Sequence, residues 1–333
     1  MVFEDKDRKK ISELSLSIAT CREINEACSS ADNPCHKVVT SQKYLGLEFR
    51  QSPEPWAGNL ATASVLFVSS NPSISETVLN GEDYPKVDYS TASSNHPEWP
   101  TERLLDFHVN RFDQDRQRPF INKFAQFLCR DGYYRGSDKS QPGKGSQTFW
   151  RNAIRETKYL LGRDVDVSND LCMTEVVHCK TKSERDLNGS PVGLEEAQWT
   201  CAGNYLDKIL EVSRSTIVVA TGKVARETFT NPEKWAPLSQ WKWDLDNARF
   251  GQFRKHKGVA SAHLGIVEVT GRSRIVCAMS HLSNGFGCDS FKGALGIEVA
   301  GKLSILIQNI SQNIEKSPSS RKELLDRLSL TDS

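Results

Sequence analysis

The chain has 333 residues, more than one average domain but suited to one large α/β unit with insertions. Its 43 Lys+Arg against 42 Asp+Glu leave a formal charge of +1, so no global field announces a polyanion partner and any nucleic-acid role must rest on local basic patches. With 38% apolar and 26% charged residues the composition argues against wholesale disorder, and no apolar run approaches the ~20 residues a membrane helix needs.

The amino terminus, MVFEDKDRKK, lacks the apolar stretch of a signal peptide, which predicts a soluble, cytoplasmic protein with no membrane partner. The nine cysteines are Cys21, Cys28, Cys35, Cys129, Cys172, Cys179, Cys201, Cys277 and Cys288. An odd number without a secretion signal speaks against a pure disulfide framework. Cys129, Cys172 and Cys277 sit in apolar runs and read as small buried hydrophobes. Cys21, Cys28 and Cys35 lie in polar sequence where no core recruits them, so a metal or cluster is the natural expectation there.

Val65–Ser70 (VLFVSS) is the first of four short apolar runs that read as buried strands. Residues 73–118 then form a long polar stretch rich in Pro, Asn and Trp, of the kind that is functional or disordered. Apolar residues at three-to-four spacing predict helices over Phe120–Arg130 and Phe149–Leu161, separated by a Gly/Ser/Lys-rich loop over 131–147. The second strand is Leu171–Cys179 (LCMTEVVHC). A helix over Leu194–Val212 carries Leu194, Ala197, Cys201, Tyr205 and Ile209 on one stripe. The strand Thr216–Thr221 (TIVVAT), a helix over Lys223–Phe229, the strand Arg274–His281 (RIVCAMSH) and a helix over Ala294–Ile310 complete the series.

Strands alternating with helices predict an α/β fold, a three-layer αβα sandwich around a central, mostly parallel, four-stranded sheet. The expected organisation is an N-terminal segment (1–60), one α/β domain (61–316) and a polar, peripheral tail (317–333), acting as a monomer. Sites of such sheets lie at the carboxyl ends of the strands. That directs attention to Ser69-Ser70-Asn71-Pro72, to Glu175 and the residues after it, to Thr221-Gly222 and to His281-Leu282-Ser283. Asn71 ends a strand at a turn fixed by Pro72 and can orient a water through its amide oxygen. Glu175 interrupts an apolar strand, which is costly unless the carboxylate is paired or functional. His178, two residues before Lys180, reads as structural.

VLFVSSNPS, then TEVVHC followed by a helix carrying Cys201, then IVVATGKVA, then a terminal SHLS, together resemble the uracil-DNA glycosylase superfamily and are most similar to its iron–sulfur branches. In order, the family's motifs are a strand ending in a G-x-(N/D/E/A)-P turn, a T-N-V-V-K-C strand, an I-V-x-L-G strand and an H-P-S-type loop. The match runs from about Cys21 to about Leu306. The resemblance implies a central parallel sheet flanked by helices, in agreement with the reading above. It puts Asn71 in the place of the water-activating polar residue and His281 in that of the loop histidine. Cys179 and Cys201 match a pair of cluster cysteines. Two further ligands are implied among the N-terminal cysteines, where the family carries a tight C-x-x-C. Cys28 and Cys35 are preferred, since Asn33-Pro34 makes a turn that can present Cys35; Cys21 is the alternative. Four thiolates suit Zn or a [4Fe–4S] cluster on chemistry alone, and the resemblance implies the cluster, in a structural role.

The departures from the family pattern carry information. Ser69 replaces the family's glycine, Leu282 its proline after the histidine, and Glu175 its base-reading Asn. An Asn amide donates and accepts, matching O4 and N3–H of uracil. An ionised Glu only accepts, which suits the exocyclic amine of cytosine. The expected partner is therefore DNA containing modified or damaged bases, with a modified cytosine preferred, such as a bulky phage-type base met in a defence role. The expected activity is excision of that base. The alternatives are a uracil-DNA glycosylase of ordinary base-excision repair and a non-catalytic or covalently trapping DNA-binding relative. In this scheme Asn71 places water beneath C1′, while His281 and the backbone near Ser70 stabilise charge on the base O2. Phe112 stacks on the extruded base, with Trp150 and Tyr133 as rivals. Arg111, Lys144, Arg151, Lys180, Lys182, Arg254, Lys255 and Lys257 are candidate phosphate contacts.

Overall fold

The computed structural model describes residues 5–42, 49–72, 86–88, 102, 126–128, 134–136, 148–181, 193–236, 241–245, 250–255, 258–283 and 290–330. In chain order the strands are β1 (Phe49–Gln51), β2 (Trp56–Gly58), β3 (Val65–Ser69), β4 (Lys86–Asp88), β5 (Gln126–Leu128), β6 (Tyr134–Gly136), β7 (Leu171–Glu175), β8 (Ile217–Thr221), β9 (Trp241–Leu245), β10 (Phe250–Lys255), β11 (Gly258–Val269) and β12 (Arg272–Met279). β1 with β4, and β5 with β6, make two small antiparallel ribbons. The other eight form one mixed sheet in the order β10-β11-β12-β8-β3-β7-β2, with β9 also alongside β11.

The inner strands β12, β8, β3 and β7 are mutually parallel, and they are the four read from the sequence. The expected four-stranded sheet is nevertheless corrected to eight strands. Antiparallel β2 extends one side, and β9, β10 and β11 extend the other. β2 is a three-residue strand and offers no periodicity to read. β11 and β12 form a hairpin whose two-residue turn, Thr270-Gly271, has positive φ at both positions (52° and 73°), the geometry that matches the twist of paired strands.

All five residues of β3, β7 and β8 are buried, because helices cover both faces. One apolar layer joins Leu66, Val68, Cys172, Val218 and Ala220 to the N-terminal helix Asp5–Ala19 and to helices Leu194–Cys201 and Lys223–Thr230. The alternate residues Val65, Phe67, Met173, Ile217 and Val219 meet helices Thr148–Leu161 and Ile297–Ser311 on the opposite face. The period of two along each strand assigns the residues to the two layers.

Several helical expectations change. Leu194–Val212 is helical throughout, but Ala202–Leu206 is a π turn between two α segments. Gly296, at φ 81°, splits the expected helix Ala294–Ile310 into Phe291–Leu295 and Ile297–Ser311. Within Phe120–Arg130, expected helical, Gln126–Leu128 is strand β5, since a short apolar run fits either period; the rest of it lies outside the described residues. The tail is not peripheral: helix Arg321–Leu328 buries Leu324, Leu325 and Leu328, and Leu324 and Leu328 join the second apolar layer. No described helix is long and apolar enough to cross a membrane.

Candidate functional site

The carboxyl ends of β12, β8, β3 and β7 lie side by side, three inter-strand steps across, which is roughly 14 Å. After β3 the next described helix, Thr148–Leu161, covers one face, whereas the helices between β7 and β8 cover the other. The strand order therefore reverses between β3 and β8, and open α/β sheets bind ligands in the crevice at such a reversal. Ser70 and Gly222 are the residues that follow these two strands. Gly222 has φ +94°, and a methyl there would stand 3.2 Å from both His281 Cδ2 and Ser70 Oγ. Only a residue without Cβ lets those side chains approach from either side.

His281 is held by a clamp of neighbours. Thr221 Oγ1 donates to Ser280 O at 3.2 Å and accepts from Leu282 N–H at 3.1 Å. Asn152 Nδ2 donates to Leu282 O, and Arg155 Nη1 fixes the Asn152 oxygen at 2.7 Å. Glu156, buried on the same helix, accepts from Phe291 N–H at 2.8 Å. Helix Thr148–Leu161 thus anchors residues on either side of the segment 284–289. The Phe149 ring lies beside the imidazole, centroids 5.0 Å apart and planes at 42°.

Asn71 is half-buried, and its Nδ2 donates to Thr181 Oγ1 at 2.7 Å and to Pro72 O at 3.2 Å. With the nitrogen committed, Oδ1 is the end left to accept from a water. Glu175 is 7% exposed at the end of β7, in register with Ser69. Beyond it the backbone still follows β3, Val176 N–H donating to Ser69 O and Val177 N–H to Ser70 O, both at 2.9 Å. Asn71, Ser70, Glu175 and His281 therefore share one edge of the sheet.

The aromatic and basic expectations fare differently. Phe112 and Tyr133 lie outside the described residues, as do Arg111, Lys144, Lys182 and Lys257. Trp150 is half-buried in the second apolar layer, edge-on to Phe149 at 6.0 Å. Phe149 is the aromatic at the imidazole. Arg151 is half-buried, and Arg254 and Lys255 fall on β10. Lys180 is corrected: it is buried in an ion pair with Glu54 and does not face a phosphate. His178 is structural, its Nδ1 donating to Glu54 O at 2.8 Å, and burial lowers its pKa to about 4.

On the opposite face of the sheet Cys21, Cys35, Cys179 and Cys201 line one small cavity, with Tyr205 and Val177. Cys35 is presented by the expected turn, its N–H donating to Asn33 Oδ1 at 2.8 Å. Cys28 is half-buried on helix Glu23–Ser29 and packs against the apolar layer outside the cavity. Cys21 lines the cavity instead. Burial pushes the Cys35 thiol up to about 12, with Cys21 and Glu23 adding to it, and raises Cys21 and Cys201 as well. The dry space keeps these thiols neutral; held as thiolates they would need a cationic centre to neutralise them. Among the described residues no three His, Cys, Asp or Glu side chains stand close enough to share a single metal ion. Cys172 and Cys277 are fully buried in the apolar layers, and Cys129 and Cys288 lie outside the described residues.

Phe149, Thr181 and Asn152 are the positions that sequence reasoning passes over as site residues, and none of them carries a local signal; Gly222, directly after an apolar strand, does and is among the strand-end residues named above. The chain matches no family model, and no curated protein is significantly similar to it.

Proposed function

We propose that this chain is a DNA glycosylase of the uracil-DNA glycosylase type that extrudes a modified cytosine and hydrolyses its N-glycosidic bond, leaving an abasic site. The observation that carries the reading is the shared sheet edge of an amide, a carboxylate and an imidazole, Asn71, Glu175 and His281, at the reversal of strand order. The motif order described above supports it independently.

Excision requires the nucleotide to leave the stack. As the C1′–N bond breaks, its electron pair departs with the base and the sugar becomes oxocarbenium-like. Asn71 Oδ1 accepts a hydrogen bond from the water that adds to C1′, and the proton this water loses neutralises the departing base. His281 donates to the base O2, where the negative charge grows; one such donor is worth about 2.7–4 kcal/mol. Glu175 accepts from the exocyclic amine. Cys21, Cys35, Cys179 and Cys201 are the residues that would hold a [4Fe–4S] cluster, which would neutralise four thiolates and tie the N-terminal segment to the turn after β7 and to helix Leu194–Cys201.

The test is a panel of oligonucleotides and phage DNAs carrying uracil, cytosine and enlarged cytosines, scored for released base and alkali-labile strands. Release from an enlarged cytosine is expected. Release from uracil alone indicates ordinary repair, a protein–DNA crosslink indicates covalent trapping, and no product on any substrate sinks the glycosylase reading.

A further inference from the structure

A second cavity lies at the other end of the sheet, where β8 and β12 begin. It has a volume of about 680 Å³ and is faced by Arg214, Arg272, Arg274 and Lys316, with Glu315 as its one carboxylate. Glu315 is already engaged, by Asn309 Nδ2 at 2.8 Å and Arg327 Nη1 at 3.4 Å. Arg274 is the unusual member. Only 1% of it is exposed, and Nη2 donates to Ser213 O at 2.6 Å, but Nε and Nη1 have no acceptor among the described residues. Burial, and Arg272 beside it on the same face of β12, lower its pKa to about 10, so it stays charged at neutral pH. A buried guanidinium with no counter-charge and two idle donors is strongly destabilising unless an anion completes it. The same cavity is walled by Ile310 and by Ile314, which is 66% exposed.

We propose that this cavity is a binding site for a small phosphate-bearing ligand, whose oxyanion neutralises Arg274 and Arg272 while Ile310 and Ile314 cover its organic part. The size suits a small organic molecule, and guanidinium is the side chain best matched to phosphate oxygens. The site is at the opposite ends of the strands from Asn71 and His281 and does not depend on the glycosylase reading.

Calorimetric titration of the full chain at constant ionic strength tests it, with inorganic phosphate in one arm and a nucleoside monophosphate in the other. Saturable binding is expected in both, at least about tenfold tighter for the ester, and at least about tenfold weaker in Arg272→Gln, whose position at the exposed start of β12 spares the core. Arg274→Met should abolish binding; if it does not fold, Arg272→Gln and Lys316→Gln carry the comparison. Equal affinity for the two probes overturns the part given to Ile310 and Ile314 and makes free phosphate the ligand. No saturable binding to the unmodified chain, unchanged affinity in Arg272→Gln, or displacement of the probe by a short DNA duplex overturns the small-ligand assignment.

Discussion

Ser283 Oγ lies 2.6 Å from His281 Nδ1, and the Ser283 backbone N–H donates to the same nitrogen at 3.3 Å. A backbone N–H can only donate, so Nδ1 is the acceptor and the neutral ring carries its proton on Nε2. In the proposed reaction Nε2–H is the donor to a substrate oxygen. Replacing His281 by Ala is expected to slow single-turnover excision about 10²–10³-fold. Ser283→Ala keeps the backbone donor and should cost roughly tenfold or less. Equal losses would contradict the role given to the backbone.

Gly222→Ala should harm both fold and chemistry. Its Cβ would crowd His281 and Ser70 at 3.2 Å, and its φ of +94° disfavours any L side chain. A loss of about 1–3 kcal/mol in urea unfolding is expected, together with slowed excision. A variant with unchanged stability and rate would mean that the two side chains do not need this close approach.

Cys21 and Cys28 separate cleanly. Cys21→Ser removes a cavity thiol and is expected to strip iron and visible absorbance from protein purified without oxygen. Cys28→Ser should leave both intact. The reverse pattern would restore the ligand set that the Asn-Pro turn alone suggests.

Glu175 is expected to decide which base is read. Its conversion to Asn replaces an acceptor by a group that also donates, so preference should move from cytosine-like bases toward uracil in a competition of labelled oligonucleotides. Asn71→Ala should abolish excision while gel-shift affinity for the same DNA is retained. Unchanged base preference in Glu175→Asn removes the argument from the carboxylate.

His178 gives the fold a dependence on pH. Burial lowers its pKa from 6.5 to about 4, so between those values the unfolded chain takes up a proton that the folded chain refuses. The stability contributed by the neutral ring is complete above pH 6.5 and is lost as the pH falls toward 4, by up to roughly 3 kcal/mol. Urea midpoints at pH 7 and pH 4.5 should diverge more for the unmodified protein than for His178→Gln, both carrying the same iron content.

The four inner strands are legible because a strand buried on both faces must be a continuous apolar run, as Val65–Val68 and Ile217–Ala220 are. Their carboxyl ends then locate Asn71, Glu175 and His281. The outer strands are harder to read, β2 because it is three residues long and β11 because Gly, Ala and Ser dilute its alternation. That Cys21 rather than Cys28 lines the cavity depends on where helices Asp5–Ala19 and Glu23–Ser29 turn against the sheet, which no local spacing encodes. Thr181 beneath Asn71 and Asn152 beneath Leu282 are partners more than a hundred positions apart, so only tertiary contact reveals them.

The widened turn Ala202–Leu206 reads as one surplus residue accommodated within an otherwise regular helix. Upstream of it sits Cys201; downstream, Ile209 and Leu210 are fully buried. Wound as regular α-helix, that extra residue would turn the following segment by about 100° and swing both aliphatic side chains out of the layer they fill. The bulge is thus a phase corrector: it lets one continuous rod serve the thiol cavity at its start and the sheet at its finish.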